Sequence, residues 1–596
     1  MFKLARYIKG KALVLTIIGI ACIVGAAYFD ATQPTFLNDA ITSLSQNKWW
    51  GDNNGWQWIS DGNTYWSFWP AVIMMACYAG ASLIVGLLGS FLGSAAALYA
   101  AMNTREAMYN KVMSYSFNEV DKFSTASLIT RLSNDVQRHQ INLQMIFTML
   151  FRAPITITIS LVNAFTPPMG NVTYGCVTIA IVILMLTVIT LIGLKVLHIF
   201  VKAQNKLDAT NKVMRENILG ARVIKAFHIH SDQNRRYQQQ NAKLKKYNIR
   251  GQALMLPIMS VIQFLLNATI VIILMIAGII FVNGAHTPIN AGIYAFTQLI
   301  AIVLFSSMIA VFVIVNTTRT MASIKRINAV IDTEPSIVDK KETTQLSHDY
   351  SVQFDQVKFK FNKKAKGYVL NDVNFKIESG KTLGIIGGTG SGKSTIVNLI
   401  PRFYDVDSGS IKIGGIDVRD MSRDEINKNI GIVFQEALLF SGTIESNLKF
   451  GKSDASYEEM KQTSMDACSW DFISKLPKKF DSVVEQRGRN FSGGQKQRIS
   501  LSRTLIKKPK ILILDDTTSA LDLLTEAKVQ ENLQKNYGDA TKLIISQRVS
   551  SVKNADKIII LENGKILATG NHQELVRSSS AYRQIVESQL GTGGLK

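Results

Sequence analysis

The sequence predicts an α-helical membrane domain followed by a soluble α/β domain, and three observations carry that prediction. Apolar runs near twenty residues or longer recur six times in the first half of the chain. Charged residues are 18% of the 596, against about 25% in average proteins, and the deficit sits in that same half. After Ile324 the pattern changes to short alternating apolar and polar runs punctuated by turn signals.

A helix needs about twenty apolar residues to cross the ~30 Å of bilayer hydrocarbon. The six runs lie near Ala12 to Phe36, Phe68 to Ala101, Met145 to Phe165, Val172 to Leu197, Leu256 to Val282 and Thr297 to Val315, the second and fourth continuing into amphipathic helical sequence. The run after the basic start Met1 to Lys11 is too long for a secretory signal core and is taken as the first span. An even number of spans brings both ends to one side, and Lys and Arg in the loops fix which side. Between Leu197 and Gly251 twelve basic residues face three acidic ones, and the loop near Met102 to Asn142 carries Arg105, Lys111, Lys122, Arg131 and Arg138. On the opposite side Asn38 to Ser67 holds only Lys48, and the loops near Pro167 and His286 hold no Lys or Arg. Both termini and the soluble domain are therefore expected in the cytoplasm, in a multi-pass protein of the cell membrane.

Six of the seven tryptophans fall between Trp49 and Trp69, as an interfacial aromatic belt requires. The net charge of +22 permits a nucleic-acid partner, but much of the surplus lies in membrane-flanking loops, which excludes that class. Cys22, Cys77, Cys176 and Cys468 are far apart and form no CxxC, so neither disulfides nor zinc organise the chain.

Glu334-Pro335 and the charged stretch Asp339 to Glu342 read as a linker. The expected division is a membrane domain over 1–325, a linker over 326–350 and a soluble α/β domain over 351–596. Thr382 to Ile386 reads as a short buried strand running into Gly387-Gly388-Thr389-Gly390-Ser391-Gly392-Lys393-Ser394-Thr395, then a helical pattern through Arg402. G-x-x-x-x-G-K-S between strand and helix is a phosphate-binding loop. Its glycines let the backbone curl with the amides inward, while Lys393 supplies charge and Ser394 an oxygen for magnesium. A second strand, Ile511 to Leu514, ends in Asp515 and Asp516, at the sheet edge where ligands bind, with Asp515 suited to the magnesium. Between them, Phe491-Ser492-Gly493-Gly494-Gln495 opens a basic helix near Lys496, a glycine-preceded helix N-terminus suited to a phosphate.

In this order the motifs resemble those of the ATP-binding cassette (ABC) exporters, and the resemblance covers essentially the whole chain. It implies a six-span membrane domain, swapped with that of a partner, fused to a P-loop domain that takes ATP and Mg2+. Phe491 to Gln495 stands where the family writes Leu-Ser-Gly-Gly-Gln, Gln435 in Val-Phe-Gln-Glu matches the Q-loop and its metal ligand, and Ser519-Ala-Leu-Asp522 matches the D-loop. Phe361 occupies the place of the aromatic that stacks on adenine. Asp121 to Asp135 and Glu216 to Phe227 look like parts of the two intracellular loops, whose coupling helices are expected near Arg105 to Met113 and Arg215 to Lys225.

Two departures matter more than the matches. The family's catalytic Glu after the magnesium aspartate is Asp516, and its switch His before Arg548 is Gln547; near Glu485-Gln486 the family's Gly-Glu is altered as well. A general base must reach the attacking water. Asp is roughly 1.5 Å shorter than Glu, and a 1 Å misplacement costs about 100-fold in rate. Gln547 can hydrogen-bond a γ-phosphate but cannot titrate as His does. With Asp516, Gln547 and Gln435 as its catalytic set, this site is expected to bind ATP and hydrolyse it slowly. In this family two cassettes face head to tail, so the intact signature serves the partner's nucleotide. The pattern resembles the degenerate-site half of a heterodimeric bacterial multidrug exporter.

Polar groups within spans are costly and are functional candidates. Asp30, before Ala-Thr-Gln-Pro34, reads either as a carboxylate reaching water at the interface or as an outer gate or cation-attracting site; Arg152 reads as a buried structural ion. Gln298, Phe305 and Met308, with Gln263, Asn267, Ser306 and Ser307, suit an adaptable amphipathic cavity. The expected function is ATP-driven export of amphipathic small molecules, including drugs, or of lipids, together with a second half-transporter. The alternatives are a nucleotide-sensing regulatory or channel-type subunit, or a homodimeric exporter with slow ATPase. A peptide exporter is disfavoured, because the chain starts at span one with no room for a leader-cleaving protease domain.

Overall fold

Apolar runs this long have one way to satisfy their backbone in lipid, and they form helices. The computed structural model describes residues 2–49, 57–60, 63–166, 172–282, 289–340, 342–363 and 365–591. Among these, five helices are long and apolar enough to cross a bilayer: Lys11–Ser45, Phe68–Met113, Thr125–Phe165, Gly175–Leu219 and Ala295–Ile331. The sixth expected span is the helix Pro257–Val282, apolar over Gln263–Ile276. The loops expected near Pro167 and His286, and Trp50 and Trp56 of the aromatic belt, lie outside the described residues.

At 1.5 Å per residue the 46 residues of Phe68–Met113 reach roughly 70 Å, more than twice the hydrocarbon thickness. Arg105 to Met113, expected as a separate coupling helix, is the end of this helix, because no Gly or Pro stands between Gly93 and Met113. The short helix is Phe117–Phe123, opened by a capping box of Ser116 and Glu119. In the second loop the expected element is split: Val172–Leu219 runs through its first part, Arg215 to Leu219, and after Gly220 the short helix Ala221–Ala226 is separate. The last membrane helix continues to Ile331, through the first residues read as linker.

By packing, the chain divides into Met1–Met113 with Thr125–Thr333, and Ser114–Ser124 with Glu334–Lys596. In the first unit, a Cβ on Gly19 would stand 3.0 Å from the Gly93 backbone nitrogen and one on Gly89 2.9 Å from the Ile23 side chain. Glycine thus sets the close approach of the first two long helices. Asp135, 2% exposed, receives Arg326 Nε at 2.7 Å and Nη2 at 2.5 Å, tying Thr125–Phe165 to Ile289–Ile331.

In the second unit a six-stranded sheet has the order Lys565–Gly570, Lys557–Glu562, Thr382–Ile386, Thr541–Ser546, Ile511–Asp515, Ile430–Val433, parallel except for the first pair. Leu383 to Ile386 and Ile511 to Leu514 are continuously apolar, as strands covered on both faces require. A four-stranded antiparallel sheet, Leu370–Ile377, Val352–Phe359, Ser408–Ile413 and Ile416–Asp417, shares one core with it. The helix Phe117–Phe123 belongs to this unit: the Phe117 ring lies 4.6 Å from Phe403, and the Tyr404 hydroxyl donates to Asp121 Oδ2 at 2.7 Å. Burial, then the Asp121 carboxylate, pushes the Tyr404 phenol well above its usual range.

Candidate nucleotide site and membrane cavity

Strand order brings three loops together. Thr541–Ser546 pairs in parallel with Thr382–Ile386 on one side and Ile511–Asp515 on the other, in a register that matches Ser546 to Ile386 and Ile545 to Asp515. The chain therefore leaves three adjacent strand ends at Gly387, Gln547 and Asp516, on the C-terminal edge where such sheets bind ligands. Gly390 and Gly392 have φ of 79° and 105°, which a side chain would strain. A Cβ at Gly387 would meet the Leu561 carbonyl at 2.2 Å, whereas Gly388 and Gly390 meet nothing within 4 Å: the loop is pressed against the domain on one side and open on the other. The Lys393 ammonium donates to the carbonyls of Gly387 and Gly388, both at 2.7 Å, and burial lowers its pKa against the opposing pull of Asp515 and Asp516.

Asp515 is 6% exposed, with the Ser394 hydroxyl as a hydrogen-bond partner; burial is the main cause raising its carboxyl. Among the described residues no cluster of His, Cys, Asp and Glu could hold a metal alone. Magnesium does not need one, since one or two protein oxygens suffice when phosphates and water complete the octahedron. Ser394 and Asp515, beside an open glycine loop and an ammonium, therefore fit a magnesium–nucleotide pair. Gln435 Nε2 faces Asp516 Oδ2 at 3.4 Å. Asp516 itself has φ 47°, and its N–H donates to Ile545 O at 2.8 Å. Gln547 is exposed. Phe361 is 48% exposed, held edge-on by Phe359 at 4.9 Å and Tyr404 at 5.2 Å, which leaves ring surface for a base.

Ser492 caps the helix Gly493–Leu505 in a capping box with Gln495. A Cβ on Gly494 would meet the Ala520 carbonyl at 2.8 Å, while one on Gly493 finds only Ala520 Cβ at 3.9 Å, so Gly493 is the open glycine of the pair. Asp522 caps the helix Leu523–Asn536 through Thr525 N at 2.9 Å and Oγ1 at 2.7 Å. Among the described residues no hydrogen bond or ion pair joins this signature helix to the phosphate loop.

The first unit encloses a cavity of about 960 Å³ lined by Asp30, Gln144, Thr148, Arg152, Thr156, Gln298 and Phe305, among others. Residues four apart drift by about 40° in an ordinary α-helix. The wider π turn Ile146–Leu150 offsets that drift, so Gln144, Thr148, Arg152 and Thr156 share the face that lines the cavity. Asp30 receives the Arg152 guanidinium on one oxygen and the Ser82 hydroxyl on the other. Arg152, expected as buried, is half exposed in its side chain. Met308 does not line the cavity but packs against the apolar cluster around Leu299 and Leu304. Ser307 is also turned inward and donates to Val303 O at 2.7 Å.

Comparison with known proteins agrees in both halves. Residues 16–311 match the ABC transporter transmembrane region and residues 370–519 the ABC transporter family. The uncharacterized ABC transporter ATP-binding protein YfiB of Bacillus subtilis strain 168 is 37% identical over 519 residues, covering 86% of this chain and 88% of that protein. This chain belongs to the ABC exporters, as a half-transporter. The ATP-dependent lipid A-core flippase of Syntrophus aciditrophicus strain SB is 30% identical over 527 residues, 87% of the exporter and 84% of the flippase. The solved structure of a bacterial Atm1-family ABC exporter with ATP bound superposes with a TM-score of 0.76 at 22% identity over 98% of both chains, a likeness of fold. A membrane domain fused to an ATP-binding domain makes the exporter a membrane protein whose transport is coupled to ATPase chemistry, in a fold that works as a dimer.

Three groups around the exporter's nucleotide site carry no local sequence signal. Gln497 Nε2 donates to the Gln435 carbonyl at 2.6 Å from 62 positions away. Gln589 brackets the switch segment, donating to Gln547 O and accepting from Val549 N, both at 2.8 Å. Buried Glu526 accepts from Ser551 and lies 3.5 Å from Arg548, whose Nη2 donates to Ser519 O at 2.9 Å. Only packing brings these partners together.

Proposed function

We propose that the chain is the degenerate-site half of a heterodimeric exporter that moves amphipathic small molecules, including drugs, or lipids out across the cell membrane, with both termini and the ATPase domain in the cytoplasm. The working division is a membrane domain over 1–325, a linker over 326–350 and a cassette over 351–596. Backbone amides of the loop Gly387 to Ser391, with Lys393, hold the phosphates of ATP, and Phe361 carries its adenine. Ser394, Asp515 and Gln435 hold Mg2+, which neutralises charge on the phosphates.

The observation that carries the degenerate-site reading is Asp516. Its backbone is pinned to Ile545 O, so its short carboxylate cannot advance by a shift of the main chain. Gln547 offers an amide to a γ-phosphate where a titrating imidazole would serve better. Gly493, open within its own chain, is free to approach a nucleotide held by the partner. The cavity supports an amphipathic cargo, since amides and hydroxyls face apolar side chains across it. The lipid-flippase relative favours a lipid among such cargoes.

The chain purified alone should bind ATP but hydrolyse it weakly, and adding a second six-span cassette protein with Glu and His at the two degenerate positions should raise turnover. Gly493→Trp should nearly abolish turnover of the pair, whereas Asp516→Ala should change it little. Turnover by the chain alone as fast as by the pair would replace this reading with a functional homodimer. ATP-dependent uptake of a fluorescent amphiphile into inside-out vesicles separates transport from a regulatory or channel role.

A further inference from the structure

A second, smaller cavity of about 280 Å³ lies between the helices Thr125–Phe165 and Ile289–Ile331 and shares no lining residue with the large one. Arg138, Asn142 and Met145 line it from the first helix, at the i, i+4, i+7 spacing of one face, and Asn316, Arg319 and Thr320 from the second. Its charge is one-sided. No carboxylate lines it, and neither Arg138 nor Arg319 is in an ion pair among the described residues. Asp135, the nearest acid on the same helix, is bonded to Arg326 and reaches Arg138 only through space. The Arg319 guanidinium is held over the Phe200 ring at 5.1 Å, which fixes its place without neutralising it.

The floor of the cavity is more telling than its rim. Asn142 is 2% exposed, and its Oδ1 accepts from the Thr317 hydroxyl at 2.9 Å. Its Nδ2 is buried with no hydrogen-bond partner. A buried amide donor left unmade is costly, and ordered water or a bound group is what commonly satisfies one. Two exposed guanidinium groups and a buried residue with an unmet N–H thus line one cavity, large enough for a small polyatomic group.

We propose that this cavity binds an anionic oxygen group of phosphate type, brought by an acidic lipid headgroup or by a free anion. Arg138 and Arg319 supply charge-assisted bonds and Asn142 Nδ2 the orienting one. The bound group would bridge the two helices at the basic end of the membrane unit, a level suited to acidic headgroups.

The test uses the full-length protein in neutral detergent. Phosphatidic acid and phosphatidylcholine of matched chains are titrated by native mass spectrometry, and inorganic phosphate by calorimetry. Wild type should bind phosphatidic acid, inorganic phosphate or both, and R138Q/R319Q should weaken that binding about tenfold or more. Lys243→Gln, the same kind of charge loss on the exposed helix His230–Met255, should leave it unchanged. Phosphatidic acid bound in preference to phosphate assigns a lipid source, and equal binding of phosphate a free anion. Should R138Q/R319Q not fold, Asn142→Asp carries the same expectation, since it places a carboxylate at the floor. Equal binding by wild type and these variants, or phosphatidylcholine bound as tightly as phosphatidic acid, overturns the proposal.

Discussion

Asp516→Glu is the substitution for which the geometry gives a magnitude. The Asp516 backbone is anchored through its N–H to Ile545 O at 2.8 Å, and the carboxylate already lies within 3.4 Å of the Gln435 amide. One added methylene therefore extends the carboxylate from a fixed root, by roughly 1.5 Å. If an error of 1 Å in a reacting group costs about 100-fold, correcting most of it should raise hydrolysis by about 10- to 100-fold. A cost accompanies the gain. Asp516 sits at φ 47°, a region that Asp tolerates better than Glu, so the variant should lose about 1 kcal/mol of stability. The assay is single-turnover hydrolysis by the chain purified alone, with nucleotide affinity measured in parallel and melting temperature recorded. Gln547→His added to Asp516→Glu should raise the rate further. An unchanged rate at unchanged affinity would show that carboxylate reach does not limit this site.

Gly387→Ala should abolish binding of a fluorescent ATP analogue, because the new Cβ would lie 2.2 Å from the Leu561 carbonyl, while Gly388→Ala, which meets nothing within 4 Å, should retain it. Burial raises the Asp515 carboxyl above its unfolded value, so its favourable contribution to folding is present at low pH and lost as pH rises through the folded pKa. In nucleotide-free protein Asp515→Asn should therefore raise the melting temperature at neutral pH, and magnesium–ATP should stabilise wild type more than the variant. Arg326→Ala leaves the buried Asp135 carboxylate unpaired and should cost about 3 kcal/mol, read as a lower melting temperature that Arg326→Lys partly restores. On a cysteine-free background, a reporter at Asn53 should be labelled from outside the cell and one at Lys243 only after lysis, and the reverse pattern would overturn the expected topology.

Much of the architecture was written locally. A run of twenty apolar residues can satisfy its backbone in lipid only as a helix, so hydropathy alone placed the long helices. Thr382–Ile386 formed as a strand with the bounds its apolar run predicts, and Gly387, Gly390 and Gly392 of the following loop occupy positions where a Cβ would clash or φ is positive. These are short-range properties, set by a few neighbouring residues and by backbone sterics, and so they are legible in a linear text. The missed coupling helix shows the limit: nothing local distinguishes Arg105 to Met113 as a separate element, because an uninterrupted helix simply continues.

What the sequence could not state was orientation and partnership. Met308 and Phe305 are three positions apart and equally apolar, yet one packs into the core and the other faces the cavity. Asp30, read singly as a solvated carboxylate or an outer gate or cation site, and Arg152, read as a buried ion, form one pair across 122 positions. A charge in a low-dielectric span is too costly to stand alone, so the sequence determines that each must find a partner. Only the packed helices, with a π turn setting the face on which Arg152 lies, decide that the partner of each is the other.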